Sequence, residues 1–188
     1  MKNFLIALVV LVAIVIIIAG IFGLTVISTK NTLVAMEEDV EAKWAQIDNQ
    51  LKRRTDLIPN LLACVKGYMS HENEIYKQIT EARAKVAGAQ TSIKERGKAE
   101  GELSGALSRL IAFSENNPEL KSDKQMQGLI DELAGTENRL SVARKNYNDT
   151  VKVFNTKIKQ IPGCFFGYTQ REYFEVSDKE KEAPKVEF

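Results

Sequence analysis

Apolar and small residues recur along this chain at helical spacing, as one unbroken block followed by three stripes. The block runs from Phe4 to Thr29, is dominated by Leu, Ile, Val and Ala, and holds no charged residue. As a helix it would rise roughly 39 Å, more than the ~30 Å hydrocarbon core of a bilayer. The block therefore predicts a transmembrane anchor over residues 1–29. A cleaved signal sequence would carry an apolar region of only about 7–15 residues ending in a small-residue cleavage motif, which this run lacks.

The first stripe is Leu33, Met36, Val40, Trp44, Ile47, Leu51, Thr55, Ile58, Leu62, Val65 and Met69, ten steps over 36 residues. That is the period of one helix face. Pro59 lies inside it, in QLKRRTDLIPNLL, yet the phase does not slip, so a single helix bent at the proline is expected, with Leu51 and Leu62 facing one core. Gly67 and Ser70 suit the end of this helix and the cap of the next, with His71 at the hairpin between them.

The second stripe passes through Ile75, Ile79, Ala82 and Val86, weakens, and resumes at Leu103, Leu107 and Leu110. Its middle contains Gly88, Gly97, Gly101 and Gly105, each about 1 kcal/mol worse than Ala in an exposed helix, so close packing or fraying is expected there. SENNPEL (114–120) reads as a turn. The third stripe runs Leu129, Leu133, Thr136, Leu140, Ala143, Tyr147, Val151, Phe154 and Ile158, eight steps over 29 residues. Its period exceeds the ~3.5 of a left-handed supercoil, which predicts a nearly straight helix ending at the IPG of 161–163.

The predicted architecture is all-α: a transmembrane helix (1–29), an elongated antiparallel up-and-down bundle of three long helices (30–162), and a C-terminal tail (163–188). The tail holds Phe165, Phe166, Tyr168, Tyr173, Phe174 and Phe188, six of the 14 aromatic residues. Such a density is unfavourable in water, so docking on the bundle, on a neighbouring copy or at the lipid surface is expected.

Charge narrows the function classes. With Lys2 set aside in the anchor, 25 basic residues face 25 acidic ones, so there is no excess positive charge for nucleic acid. The contrast between Lys2 and Lys30 is slight and leans towards a cytoplasmic amino terminus and an extracytoplasmic body. The single histidine, His71, excludes a His-rich metal site, and Cys64 and Cys164 fit no metal spacing. They either pair in an oxidising compartment or serve as one buried and one loop thiol.

Two constellations stand out. Lys52, Arg53 and Arg54 fan around a helix and so cannot all face one ligand; Arg53 or Arg54 is placed to reach carbonyls left unpaired by Pro59. On the third helix Glu137, Arg144, Asn148 and Asn155 flank the apolar stripe. Arg144 is the residue expected to be partly buried, with Glu81, Asp48 or Glu137 as its partner, in a polar network that fixes helix register. An acid/base site near Glu137 and Arg144 would need an open cleft lined by carboxylates, and no nucleophile, metal cluster or phosphate loop accompanies it. No cofactor is expected.

The blocks WAQIDNQLKRRTDLIPNLLACVKGYMSHE, TEARAKV, NPELKSDKQMQGLIDELAGTENRLSVARKNYNDTVKVFNTKIKQIPG and GYTQREYFEVSDKEKEAPKVEF resemble the LemA family of bacterial membrane proteins. The resemblance implies a membrane helix and a four-helix up-and-down bundle, with no established enzymatic activity and a genomic association with membrane metalloproteases. It implies a fourth helix, supplied by a division at Pro59, by the glycine-rich region or by the tail. The expected function is a non-enzymatic scaffold or adaptor, single-pass in the inner (cytoplasmic) membrane. Its expected partners are the lipid bilayer, further copies of itself and a membrane protein such as a metalloprotease. The alternatives are a cytoplasm-facing protease adaptor and an envelope enzyme.

Overall fold

A computed structural model of the chain describes residues 2–68, 73–89 and 92–175. The helices are α1 (Lys2–Val65), α2 (Asn73–Gly88), α3 (Ile93–Asn116), the short α4 (Pro118–Ser122) and α5 (Lys124–Lys159), followed by a 3₁₀ turn at Gly163–Phe166. No strand occurs among the described residues. The expected hairpin placement of His71, the Ser70 cap, and Met69 and Phe188 lie outside them.

Helix α1 continues without interruption through Pro59. The proline is itself exposed, and it removes the N–H partner of the Thr55 carbonyl four residues back. Beside it on the helix Leu51, Ile58, Leu62 and Val65 are buried, so the apolar stripe passes the proline in register. Leu51 and Leu62 both lie in the interior, as their spacing predicts.

The chain divides into two compact units, residues 1–42 with 149–171 and residues 43–148 with 172–188. In the first, the apolar run of α1 is bare: Phe4 is 76% and Leu24 70% exposed. This helix is long and apolar enough to cross a membrane. Further along, Leu33, Val40, Val151, Phe154 and Ile158 are buried. Tyr168 meets Phe154 edge-on at 5.9 Å. Gly163 packs so tightly on the Lys157 carbonyl that a β-carbon would overlap it.

In the second unit, side-chain pairs fix the helix directions. Asp48 of α1 meets Arg96 of α3, and Arg54 meets Glu100 and Ser104, so α1 and α3 run parallel. Lys85 of α2 meets Glu102 of α3 and Gln78 meets Arg109, an antiparallel pair. Trp44 and Arg54 of α1 meet Tyr147 and Glu137 of α5, again antiparallel. The result is an up-down-up-down bundle of α1, α2, α3 and α5.

The fourth helix comes from the glycine-rich region: the second stripe, expected as one helix with a weak middle, is two. Helix α2 ends at Gly88, and α3 is capped by Ser92, whose side chain accepts from the Glu95 N–H at 3.4 Å. A glycine at one end and a Ser cap at the other favour separate helices over one strained through the gap. Asn117 and Asp123 cap α4 and α5 in the same way, each accepting two backbone N–H groups. The core between these caps includes Ile58, Leu61, Ile79, Leu103, Leu110, Leu120 and Met126. Each such side chain contributes about 1.5–3 kcal/mol by leaving water.

Candidate functional site

A layer of charge crosses the interior of the second unit. On α3, Arg96, Glu100 and Ser104 recur every four residues and so share a face, one position round from the Leu103 and Leu107 stripe. On α5, Glu137 and Arg144 are seven residues apart and likewise share a face.

Arg54 connects these faces. It is 3% exposed, and its Nη1 lies 3.3 Å from Glu100 Oε2 and 2.8 Å from Glu137 Oε2. Its Nη2 donates to Ser104 Oγ at 2.8 Å. Glu100 is fully buried, and among the described residues its Oε1 has no hydrogen-bond partner. Burial pushes the Glu100 carboxyl above the usual carboxylate range; Arg54, Arg144 and Arg96 pull it back, and the charge of Glu137 adds to the rise.

Arg144 Nη1 lies 3.6 Å from Glu137 Oε1, and its guanidinium stands 5.1 Å from the Phe174 ring centre. Arg96 pairs with Asp48 at 2.6 Å and covers Trp44 at 5.5 Å. Of the three partners expected for Arg144, Glu137 lies beside it, whereas Asp48 pairs with Arg96 and Glu81 with Lys77.

The basic triplet separates as its spacing requires. Arg54 points inward, Arg53 pairs with Glu132 at the surface, and Lys52 is exposed. Arg53 and Arg54 thus serve carboxylates and not the carbonyl freed by Pro59.

Three arginines and three carboxylates alternate here, and each carboxylate has an arginine partner. Glu100 is sealed and Glu137 spans the gap between two arginines, whereas Asp48 and Arg96 lie along a surface groove of about 380 Å³ and pair with each other there. Because a one-turn slip of a helix moves its side chains by about 5.4 Å, only one register of α1, α3 and α5 satisfies all the pairs.

The tail meets this layer. Asn148 holds the backbone of Phe174 at both ends, donating from Nδ2 to the carbonyl at 3.0 Å and accepting the N–H on Oδ1 at 2.8 Å. Tyr147 donates its hydroxyl to the Glu172 carbonyl at 2.9 Å. Phe174 is buried beside Trp44, with ring centres 6.0 Å apart. Gly97 on α3 lies directly against the Glu175 carbonyl, where a β-carbon would overlap the oxygen.

The first unit repeats the device. Asn155 donates to the Arg171 carbonyl and accepts the Arg171 N–H, both at 2.9 Å. The Arg171 guanidinium reaches Glu37 at 2.8 Å and Glu41 at 3.1 Å, one turn apart on α1. Replacing Asn155 with Ala removes two hydrogen bonds of about 1 kcal/mol each. We expect tryptic cleavage after Arg171 to accelerate roughly tenfold or more, because cleavage needs local opening. An unchanged cleavage rate would show that the clamp does not hold the tail.

The aromatic residues of the tail behave unequally. Phe174 is buried and Phe166 half-buried, whereas Tyr173 is 43% and Phe165 74% exposed. Cys64 is half-buried and Cys164 exposed, both as free thiols. Burial, then the charge of Asp123, pushes the Cys64 thiol up, which disfavours its reactive thiolate form.

The sequence profile of the LemA family matches residues 43–188 and begins where the second unit begins. Magnetosome protein MamQ 2 of Paramagnetospirillum magneticum is 24% identical over 183 residues, covering 82% of this chain and 67% of that protein. MamQ of Magnetospirillum gryphiswaldense is 22% identical over 182 residues, covering 81% and 67%. Protein LemA of Metamycoplasma hominis is 24% identical over 139 residues, covering 74% and 64%.

Proposed function

The chain belongs to the LemA family, and from that premise we propose that it is a non-enzymatic scaffold or adaptor of the cytoplasmic membrane. In this reading it spans the bilayer once, exposes its body on the extracytoplasmic side, and self-associates. The observation that carries the proposal is the way its chemistry is used up internally. The carboxylates that an acid/base enzyme would present to a substrate are each paired with an arginine of the chain itself, Glu100 in full burial. The polar residues of α5 grip the chain's own tail. What faces outward is an apolar helix suited to lipid together with helix faces suited to contacts.

Topology is tested with the exposed Cys164 in a Cys64→Ala background. A membrane-impermeant maleimide applied to spheroplasts is expected to label Cys164 before lysis. Labelling that appears only after lysis would overturn the extracytoplasmic placement and favour a cytoplasm-facing adaptor for a membrane protease. Self-association is tested by crosslinking the full chain in lipid nanodiscs and liposomes, where strictly monomeric protein at all densities would count against the scaffold reading.

A further inference from the structure

One groove of the second unit differs in chemistry from the rest of its surface. It lies between α1 and α5, has a volume of about 540 Å³, and is lined by Gln46, Asn49 and Gln50 on one side and Asn138, Val142 and Asn146 on the other. Five of these side chains are carboxamides, in a chain where 27% of residues are charged. Arg139 is the one charged residue of the lining, and its guanidinium is turned to Glu132, Thr136 and Gln50. Among the described residues the carboxamides of Gln46, Asn49, Asn138 and Asn146 make no hydrogen bond to the protein. Val142 stands among them 60% exposed.

The groove between α2 and α3 is of similar volume, about 550 Å³, but is organised differently. There Lys85 binds Glu102 and Arg109 binds Gln78, both at 2.6 Å, so four of its polar side chains pair across the groove.

We propose that the carboxamide groove between α1 and α5 is a homotypic contact surface that receives the same groove of a second copy of this chain. This rests on the self-association reading above and names its surface. A two-fold contact presses one patch against itself, so the patch must be self-complementary. Charged patches fail that requirement because like charges meet. Carboxamides satisfy it, since each carries both a carbonyl acceptor and an NH₂ donor and can pair with its own kind. Val142 supplies an apolar centre that the second copy covers. One turn of α1 and two of α5 make a small contact beside the ~800 Å² per partner of a standard stable interface. Anchoring in a membrane raises the local concentration, so a weak contact suffices there and fails in dilute solution.

The test uses the full chain in liposomes, with two separately tagged variants, Asn138→Asp/Asn146→Asp and Asn138→Lys/Asn146→Lys. These positions are exposed, so circular-dichroism melting should match the parent chain. Each variant alone is expected to lose crosslinked dimer about tenfold, because like charges now face each other. Mixing the two is expected to restore crosslinking between the tags. If the parent chain crosslinks and both variants do so equally, another surface mediates association; the groove proposal falls while the self-association reading stands. If both variants lose dimer but mixing restores none, the groove meets a different surface of the second copy, and the homotypic proposal is overturned. If the parent chain never crosslinks in liposomes, the self-association reading itself fails.

Discussion

Replacing Arg54 with Ala is expected to lower the melting temperature by about 10 °C or more, whereas the same change at its neighbour Arg53 should leave it nearly unmoved. The contrast follows from burial. Arg54 is 3% exposed and holds Glu100, which is fully buried, so its removal leaves a carboxylate inside the bundle without its direct partner. Breaking a buried pair from one side typically costs about 3–5 kcal/mol, and a chain of this size loses roughly 2–4 °C per kcal/mol. Arg53 pairs with Glu132 at the surface, where water replaces the lost partner and such bridges contribute about 0–1 kcal/mol. Thermal unfolding of both variants, followed by circular dichroism, gives the comparison. Equal shifts would refute the role assigned to burial.

The Arg54 deficit should also depend on pH in a defined direction. The Glu100 carboxyl lies above its unfolded value because burial penalises the charged form. Folding therefore shifts this group towards its neutral form relative to the unfolded chain. This group's contribution is most favourable below the ordinary carboxylate range and is lost as pH rises through the raised value. Removing Arg54 takes away the first of the charges that restrain the rise. The deficit of Arg54→Ala should be largest at neutral pH and shrink on acidification. Adding Glu100→Gln should recover much of it at neutral pH, since a neutral amide needs no counterion.

Much of this architecture is legible in the apolar periodicity. The stripe from Leu33 to Val65 crosses Pro59 in phase because the proline sits on the exposed side, where a missing N–H does little harm. The division between α2 and α3 was legible only as a weak stretch, since glycine loosens a helix without fixing where it breaks. Arg54 could not be distinguished from Lys52 and Arg53 by type, although its place one position before Thr55 put it at the edge of the stripe. Glu100, Arg96 and Ser104 carried a signal at four-residue spacing, yet they lie in a glycine-rich run whose inward face depends on where α1 and α5 pass. Asn148 and Asn155 stood out beside the third stripe. Their partners are backbone groups of the tail, and backbone groups leave no residue-type signature to read.

Phe174→Ala should detach the tail from the second unit and lower its stability by several kcal/mol, whereas Phe165→Ala should do neither. Phe174 is 3% exposed, between the Trp44 ring and the Arg144 guanidinium, and truncating a buried Phe typically costs about 3–5 kcal/mol. Phe165 is 74% exposed and has little burial to lose. The effect of Phe174→Ala has a ceiling: once the tail has left, further loss of its contacts cannot destabilise the bundle. Trp44 is the single tryptophan of the chain and gives a direct readout, because water replacing Phe174 at its ring should shift its fluorescence to the red. Gly97→Ala approaches the same contact from α3, placing a β-carbon on the Glu175 carbonyl, and should produce the same red shift with every aromatic side chain retained. A red shift in Phe174→Ala with none in Gly97→Ala would mean that Phe174 stays seated without the Glu175 contact. The absence of a shift in both would mean that the tail does not shield Trp44.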